Sequence, residues 1–198
     1  MIKKNVCVIG LGYIGLPTAA LLANQGCVVS GVDLNEKIVS TINAGKIHIK
    51  ETGLGALVKS AVSSQRLKVY DKIQKSDVYI ICVPTPFHNN GKTPQPNIDY
   101  VLSAVKSITS YIKKGDLIIL ESTSPVGTTK KIEQILIKKG INIKDVYIGY
   151  CPERVLPGKI ITELVENDRI VGGINSTSTK KIVDFYRIFV KGDIFETD

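Results

Sequence analysis

The stretch Val6-Cys7-Val8-Ile9-Gly10-Leu11-Gly12-Tyr13-Ile14-Gly15-Leu16-Pro17 decides the fold. Its first four residues are apolar without alternation and stop at a glycine, the pattern of a strand covered on both faces. Gly10, Gly12 and Gly15 then spell G-x-G-x-x-G, and from Pro17 to Gln25 alanines and leucines recur at helical spacing until Gly26. Glycines in this pattern mean little alone. Between a strand and a helix, with Asp33 closing the next apolar run 18 residues after Gly15, they form a dinucleotide-binding fingerprint. Gly10 permits the tight turn, Gly12 lets the backbone approach a pyrophosphate, and Gly15 allows close helix–strand packing. The positive end of the helix then faces the phosphates.

Asp33 is expected to accept hydrogen bonds from the adenosine ribose hydroxyls. A carboxylate there repels a 2′-phosphate, and Leu34-Asn35 supply no arginine to attract one. NAD is therefore expected over NADP, with Lys37 as the nearby cation that weakens the distinction. The alternative is that Asp33, like Asn35, only caps the helix expected over Asn35 to Asn43.

Further along, short β-rich runs alternate with helical ones. Strands are expected at Val28 to Val32, Leu67 to Tyr70, Val78 to Val83, Leu117 to Leu120 and Val146 to Gly149, near Ile170-Val171 and at Ile194-Phe195. Helices are expected over Leu54 to Val62, Ile98 to Ile112, Thr128 to Lys139 and Thr177 to Phe189. Phe87 to Asn97, rich in Asn, Pro and Gly, reads as a loop, as does the segment between Gly149 and Ile170. This alternation specifies an α/β fold, a doubly wound, mostly parallel Rossmann-type sheet with helices on both faces, without a linker that divides the chain.

In such sheets ligands lie beyond the carboxyl ends of the strands. Three polar, proline-fixed segments fall there: Val83-Pro84-Thr85-Pro86, residues 121–129 (Glu121-Ser122-Thr123-Ser124-Pro125-Val126-Gly127-Thr128-Thr129), and residues 150–158 (Tyr150-Cys151-Pro152-Glu153-Arg154-Val155-Leu156-Pro157-Gly158).

Composition narrows the reading. At 198 residues the chain is long enough for one domain whose core needs neither disulfides nor metals, since roughly 70% of the unfolded surface can be buried. Lysine and arginine outnumber acids by 26 to 18, a net charge of +8, but the excess is spread in short pairs such as Lys130-Lys131. A lysine-rich solvated surface and an anionic ligand both fit it, and the absence of a basic stripe interleaved with aromatics argues against nucleic acid. Cys7, Cys27, Cys82 and Cys151 are far apart, which argues against a zinc site and for reduced thiols. No run of 18 apolar residues or cleavable leader is visible, so a cytoplasmic, membrane-free protein is expected. His48 and His88 lack the sequence context of a catalytic triad.

Taken with Asn167-Asp168-Arg169-Ile170-Val171-Gly172-Gly173, the fingerprint and the three strand-end segments resemble the UDP-sugar dehydrogenase family over nearly the whole chain. Within the family the chain most resembles the branch acting on UDP-N-acetyl-D-mannosamine; Pro157 stands where glucose-oxidising members carry a second glutamate, which favours an N-acetylhexosamine over glucose, with UDP-N-acetylglucosamine and UDP-glucose as the alternatives. The resemblance implies a four-electron oxidation at C6 of a UDP-sugar by two NAD in turn, serving surface polysaccharide synthesis. It assigns Tyr13, Ile14, Asp33, Val83, Pro84, Thr85 and Thr129 to NAD, with the three fingerprint glycines. Thr123 and Glu153 match positions that handle water and protons. Arg154, Val155 and Leu156 match the segment bordering the sugar nucleotide.

Two alternatives stay open: Glu153 only braces its loop through a salt bridge, and Arg154 is only a solvated surface residue. The family's catalytic lysine, asparagine and nucleophilic cysteine lie in a connecting helix and a UDP-binding domain beyond Phe195-Glu196-Thr197-Asp198. The expectation is thus the NAD-binding part of a longer, dimeric or larger enzyme, inactive by itself. The competing class is a non-catalytic NAD-binding module.

Overall fold

Strand β1 (Asn5–Ile9) is buried from Val6 onward and pairs in parallel with two neighbours, β2 (Val28–Val32) and β4 (Val78–Ile81). Between them the chain forms α1 (Gly15–Asn24), α2 (Glu36–Asn43), α3 (Leu54–Ser63) and β3 (Leu67–Tyr70), the last parallel to β2. After β4 come β5 (Phe87–His88), β6 (Gln95–Pro96), α4 (Asp99–Ile108), β7 (Leu117–Leu120), α5 (Thr128–Lys138) and β8 (Tyr147–Tyr150). The chain continues through α6 (Ile160–Glu166), β9 (Arg169–Gly173), α7 (Ser176–Tyr186) and β10 (Ile194–Thr197). The computed structural model describes residues 4–88 and 93–197.

Eight strands form one sheet in the order β10-β9-β8-β7-β4-β1-β2-β3. All pairs are parallel except β8–β9, where Gly149 and Tyr150 face Gly173 and Gly172 in antiparallel register. Apolar side chains leave β1 alternately: Val6 and Val8 join a core with α1, α3, α6 and α7, whereas Cys7 and Ile9 join one with α4 and α5. Helices thus cover both faces of the doubly wound α/β sheet, as the unbroken apolar strands require.

Two segments differ from the sequence expectation. Phe87 and His88 pair antiparallel with Pro96 and Gln95, so the segment expected as a loop is partly a two-stranded ladder; residues 89–92 of that loop lie outside the described part. The region before β9 contains α6, which has seven residues and buries only Ile160 and Leu164. So short a helix shows too few turns for its periodicity to stand out. Asn35 caps α2 by accepting a hydrogen bond from the Lys37 N–H at 3.0 Å, so Asp33 is not that cap.

Central strand side chains carry the stability. Ile80 has no exposed surface. Replacing it with alanine is expected to lower the unfolding free energy by about 2–5 kcal/mol, read as a reduced denaturant midpoint at unchanged slope.

Candidate cofactor and substrate site

The turn after β1 shows why its glycines are there. Gly10 has φ +87°, and a Cβ on it would lie 2.7 Å from the Cys82 carbonyl oxygen. A Cβ on Gly15 would collide with the Gly10 carbonyl oxygen. Gly12 is different: nothing lies within 4 Å of where its Cβ would be, and the residue is exposed. The loop is therefore packed below and open above. No side chain caps α1 and its first turn holds no acid, so its positive end remains available to an anion. Tyr13 stands half-exposed on the loop, with Ile14 beside it partly buried.

Asp33 follows β2 and braces this turn. Its Oδ2 accepts from the Leu11 N–H at 3.1 Å and its Oδ1 from the Asn35 N–H at 2.9 Å. Each carboxylate oxygen has a second lone pair, so these bonds leave capacity for ribose hydroxyls.

Loops from the next strands close the crevice. After β4, Val83 and Thr85 are partly buried and Pro84 is exposed. Ser122, after β7, donates to the carbonyls of Ile81 at 3.2 Å and Val83 at 2.7 Å, which ties the two loops together. Thr123 is exposed at the end of β7. The Ser124 N–H donates to the Tyr150 hydroxyl at 3.2 Å, which links this loop to the end of β8. Gly127, at φ +86°, turns the chain into α5, and Thr129 lies partly buried in its first turn.

The segment after β8 is held by carboxylates. Glu153 Oε1 accepts from the Arg154 N–H at 2.7 Å, and Oε2 lies 2.8 Å from Arg169 Nη2. That ion pair is off the hydrogen-bonding line, and Glu153 Oε2 has no hydrogen-bond partner. Burial pushes the Glu153 carboxyl above its ordinary range; Arg169 opposes this and Glu121 adds to it. Arg154 is exposed and donates to the Asp168 carbonyl at 3.1 Å. Val155 packs against the core, while Leu156 is exposed and its N–H donates to Glu163 at 2.7 Å.

Beneath these loops lies a sealed polar cluster. Glu121 is 1% exposed and accepts from the Tyr186 hydroxyl at 2.7 Å, the Cys82 thiol at 3.2 Å and the Thr18 hydroxyl at 3.4 Å. Arg169 is 4% exposed, with Nη1 4.0 Å from Glu121 Oε1 and 3.6 Å from Cys151 Sγ, and Nη2 donating to the Leu164 carbonyl at 3.2 Å.

The sequence-selected residues Gly10, Gly12, Asp33, Thr85, Thr123, Glu153 and Arg154 come from the turns and loops after β1, β2, β4, β7 and β8, and Gly15 and Thr129 from the first turns of α1 and α5. Sequence reading gave no role to Glu51, Glu121, Arg169 or Tyr186. A charged residue bordering a wholly apolar strand, as at Glu121 and Arg169, was the available signal. Glu51 offered none: it lies between α2 and α3, yet its buried carboxylate accepts from the N–H groups of Gly158 at 2.8 Å and Ile160 at 3.0 Å. His88, on the ladder, pairs at the surface with Asp99 at 3.9 Å. No group of three or more His, Cys, Asp or Glu among the described residues is placed to hold a metal.

A sheet of this order with a glycine turn open at Gly12 is the arrangement of a dinucleotide-binding domain, and comparison with known proteins agrees. Residues 4–190 match the NAD-binding domain of the UDP-glucose/GDP-mannose dehydrogenase family, and the chain belongs to that family. NAD is the cofactor of this domain. Over 196 residues the chain is 51% identical to a UDP-N-acetyl-D-mannosamine dehydrogenase of Methanococcus maripaludis, covering 98% of this chain and 44% of that protein. A Campylobacter jejuni protein of the same name is 48% identical, with 98% of this chain and 50% of that protein covered. The solved UDP-N-acetyl-mannosamine dehydrogenase of Staphylococcus aureus superposes with a TM-score of 0.93 at 42% identity, covering 98% of this chain and 48% of that one. The chain thus spans about half the length of these relatives.

Glu51 generates a prediction of its own. Glu51→Gln keeps the shape but gives up one acceptor oxygen. Hydrogen exchange at the Gly158 and Ile160 amides is expected to accelerate by about tenfold or more, consistent with loss of a charge-assisted bond. Unchanged exchange at both amides refutes the anchoring role.

Proposed function

We propose that this chain is the NAD-binding part of an oxidoreductase that converts UDP-N-acetyl-D-mannosamine to its uronic acid, a precursor of surface polysaccharide. The observation that carries the reading is the convergence, at one end of the sheet, of the open Gly12 turn, Asp33 and the Glu153 loop. The names of the relatives that share about half of its residues supply the sugar. Pro157, in place of a second glutamate, is consistent with an N-acetylhexosamine rather than glucose.

In this reading Gly10, Gly12 and Gly15 shape the pyrophosphate cradle, Tyr13 and Ile14 flank it, and Asp33 takes the ribose hydroxyls. Val83, Pro84, Thr85 and Thr129 line the crevice between the β4 and β7 loops. When bound, NAD supplies the hydride acceptor. As hydride leaves C6 of the sugar, the hydroxyl proton must pass to a base. Glu153 is suited to that transfer because burial raises its carboxyl above the ordinary range. Thr123 sits exposed one strand away and orients water. Arg154, Val155 and Leu156 border the sugar nucleotide.

Oxidation through to the acid also needs a nucleophile to capture the aldehyde, and the thiols of this chain are unsuited. Burial pushes Cys7 and Cys151 up to about 11, raises Cys27, and holds Cys82 well above the ordinary thiol range. Each is therefore a protonated thiol at neutral pH, and the thiolate is the reactive form. Covalent capture is therefore assigned to none of these four thiols. The salt bridge at Glu153 favours a second reading, a cofactor-binding module in which that carboxylate only braces its loop.

Calorimetric titration tests the cofactor site. The chain is expected to bind NAD at least about tenfold more tightly than NADP. Asp33→Asn is expected to weaken NAD by about 10- to 100-fold, the loss of a hydrogen bond to a charged group. Gly12→Ala should fold with an unchanged melting temperature, since open space surrounds the site of its Cβ, yet bind NAD poorly. A folded chain that does not bind NAD refutes the reading.

A separate assay addresses turnover. NADH formation from UDP-N-acetyl-D-mannosamine is expected to be absent for the isolated chain. It is expected to appear in a chain extended to the length of its relatives and to fall in the Glu153→Gln form of that chain. Full activity of that variant favours the bracing role.

A further inference from the structure

Arg169 is the sole guanidinium among the described residues that faces Glu153 and Glu121 together. It opens β9, the strand that runs antiparallel to its neighbour β8 and so begins at the end of the sheet where β8 finishes. Its guanidinium lies over the rings of Tyr186 at 4.9 Å and Phe189 at 5.6 Å, which leaves the planar group little freedom. One hydrogen bond, to the Leu164 carbonyl, fixes Nη2 further. The cation is thus held by the core and not by the loop whose carboxylate it meets.

The charge count is uneven. Two buried carboxylates share one cation, and a buried ion without full compensation is costly. Glu121 has its oxygens taken by three donors, the Tyr186 hydroxyl, the Cys82 thiol and the Thr18 hydroxyl, all suited to an acceptor. Glu153 has one backbone N–H and an ion pair off the hydrogen-bonding line. Of the two, Glu153 has the fewer donors on its oxygens, and burial raises its carboxyl above the ordinary range. The groups that face it are Arg169 from β9, Glu121 from the end of β7, Cys82 from the end of β4 and the Arg154 N–H of its own loop.

We propose that Arg169 is a positioning residue, which fixes the Glu153 carboxyl from the core and, because it is shared with Glu121, sets Glu153 as the member of the cluster that gains and loses a proton. This rests on the reading of Glu153 as the proton-handling group. A guanidinium that acted only on the stability of the fold would leave the Glu153 midpoint where it is when the cation is exchanged.

The test is a carbon-13 carboxyl titration of the chain labelled at glutamate, with the Glu153 signal assigned through Glu153→Gln. Arg169→Gln removes the cation and is expected to raise the Glu153 midpoint by about 1–3 pH units, as loss of an adjacent opposite charge does. Arg169→Lys retains the charge but not the fork and is expected to fall between that variant and the unaltered chain. Glu121→Gln removes the competing carboxylate and is expected to lower the midpoint by about 1 unit. If Arg169→Gln does not fold, Arg169→Lys and Glu121→Gln decide the matter. A Glu153 midpoint that stays within about 0.3 units in both folded variants overturns the proposal. The NAD titration of the unaltered chain is read separately, so failure of the cofactor site and failure of the Arg169 role give different results.

Discussion

The first turn of α1 rests directly on the Gly10 carbonyl, and no side chain larger than hydrogen fits at Gly15 between them. That contact lets a helix begin within a few residues of the end of β1. It also sends the chain to the face of the sheet opposite the one that α4 covers after β4. Because two neighbouring parallel strands feed helices on opposite faces, a crevice opens between their ends, the general location of ligands in such sheets. Cys82 lies directly below, with its carbonyl against Gly10 and its thiol on Glu121. The cofactor turn and the buried cluster are consequently built on the same short stretch of backbone.

The antiparallel strand β9 follows from the needs of that cluster. A parallel strand at this place would finish at the site and contribute a loop. β9 starts there instead, and its first residue is Arg169. The guanidinium enters the core among Tyr186, Phe189 and Leu164, which gives it two aromatic faces and a carbonyl. Through Glu121 the same cluster reaches Thr18 on α1. Helix α1 and the loop that carries Glu153 are therefore joined through buried side chains.

Much of this was legible in the sequence. Unbroken apolar runs such as Leu117 to Leu120 stand out because strands buried on both faces have no polar positions. The fingerprint was legible because its glycines answer local demands, a positive φ at Gly10 and a close approach at Gly15. Helix α6 was not legible, since seven residues give too few turns to establish a period. Nor were the contacts between distant segments. Glu51 reaches a loop 107 residues later, and Tyr186 meets Glu121 from 65 residues away. Only the folded sheet brings such pairs together, and a short-range pattern contains no trace of them.

The distribution of side chains around the site inverts the usual arrangement, and the inversion has a physical meaning. Polar groups are sealed below, in Glu121, Arg169 and Tyr186, while large apolar ones stand in the open on the turns and loops above: Tyr13, Leu34, Val126 and Leu156. Buried charge and exposed apolar surface both cost stability in an isolated domain, so their occurrence together is the informative departure from ordinary packing. Each has a use where a ligand is to be bound. Exposed apolar surface gains by being covered, and a fixed polar floor presents its groups without reorganising when ligand arrives. The loops between the two layers are held by Ser122, Tyr150, Glu51 and Glu163 through bonds to backbone. Such bonds keep the loop backbone in place whatever side chains it carries. Sequence change on the upper layer, where Pro157 is exposed, can then alter what the loops present without disturbing the polar floor beneath them.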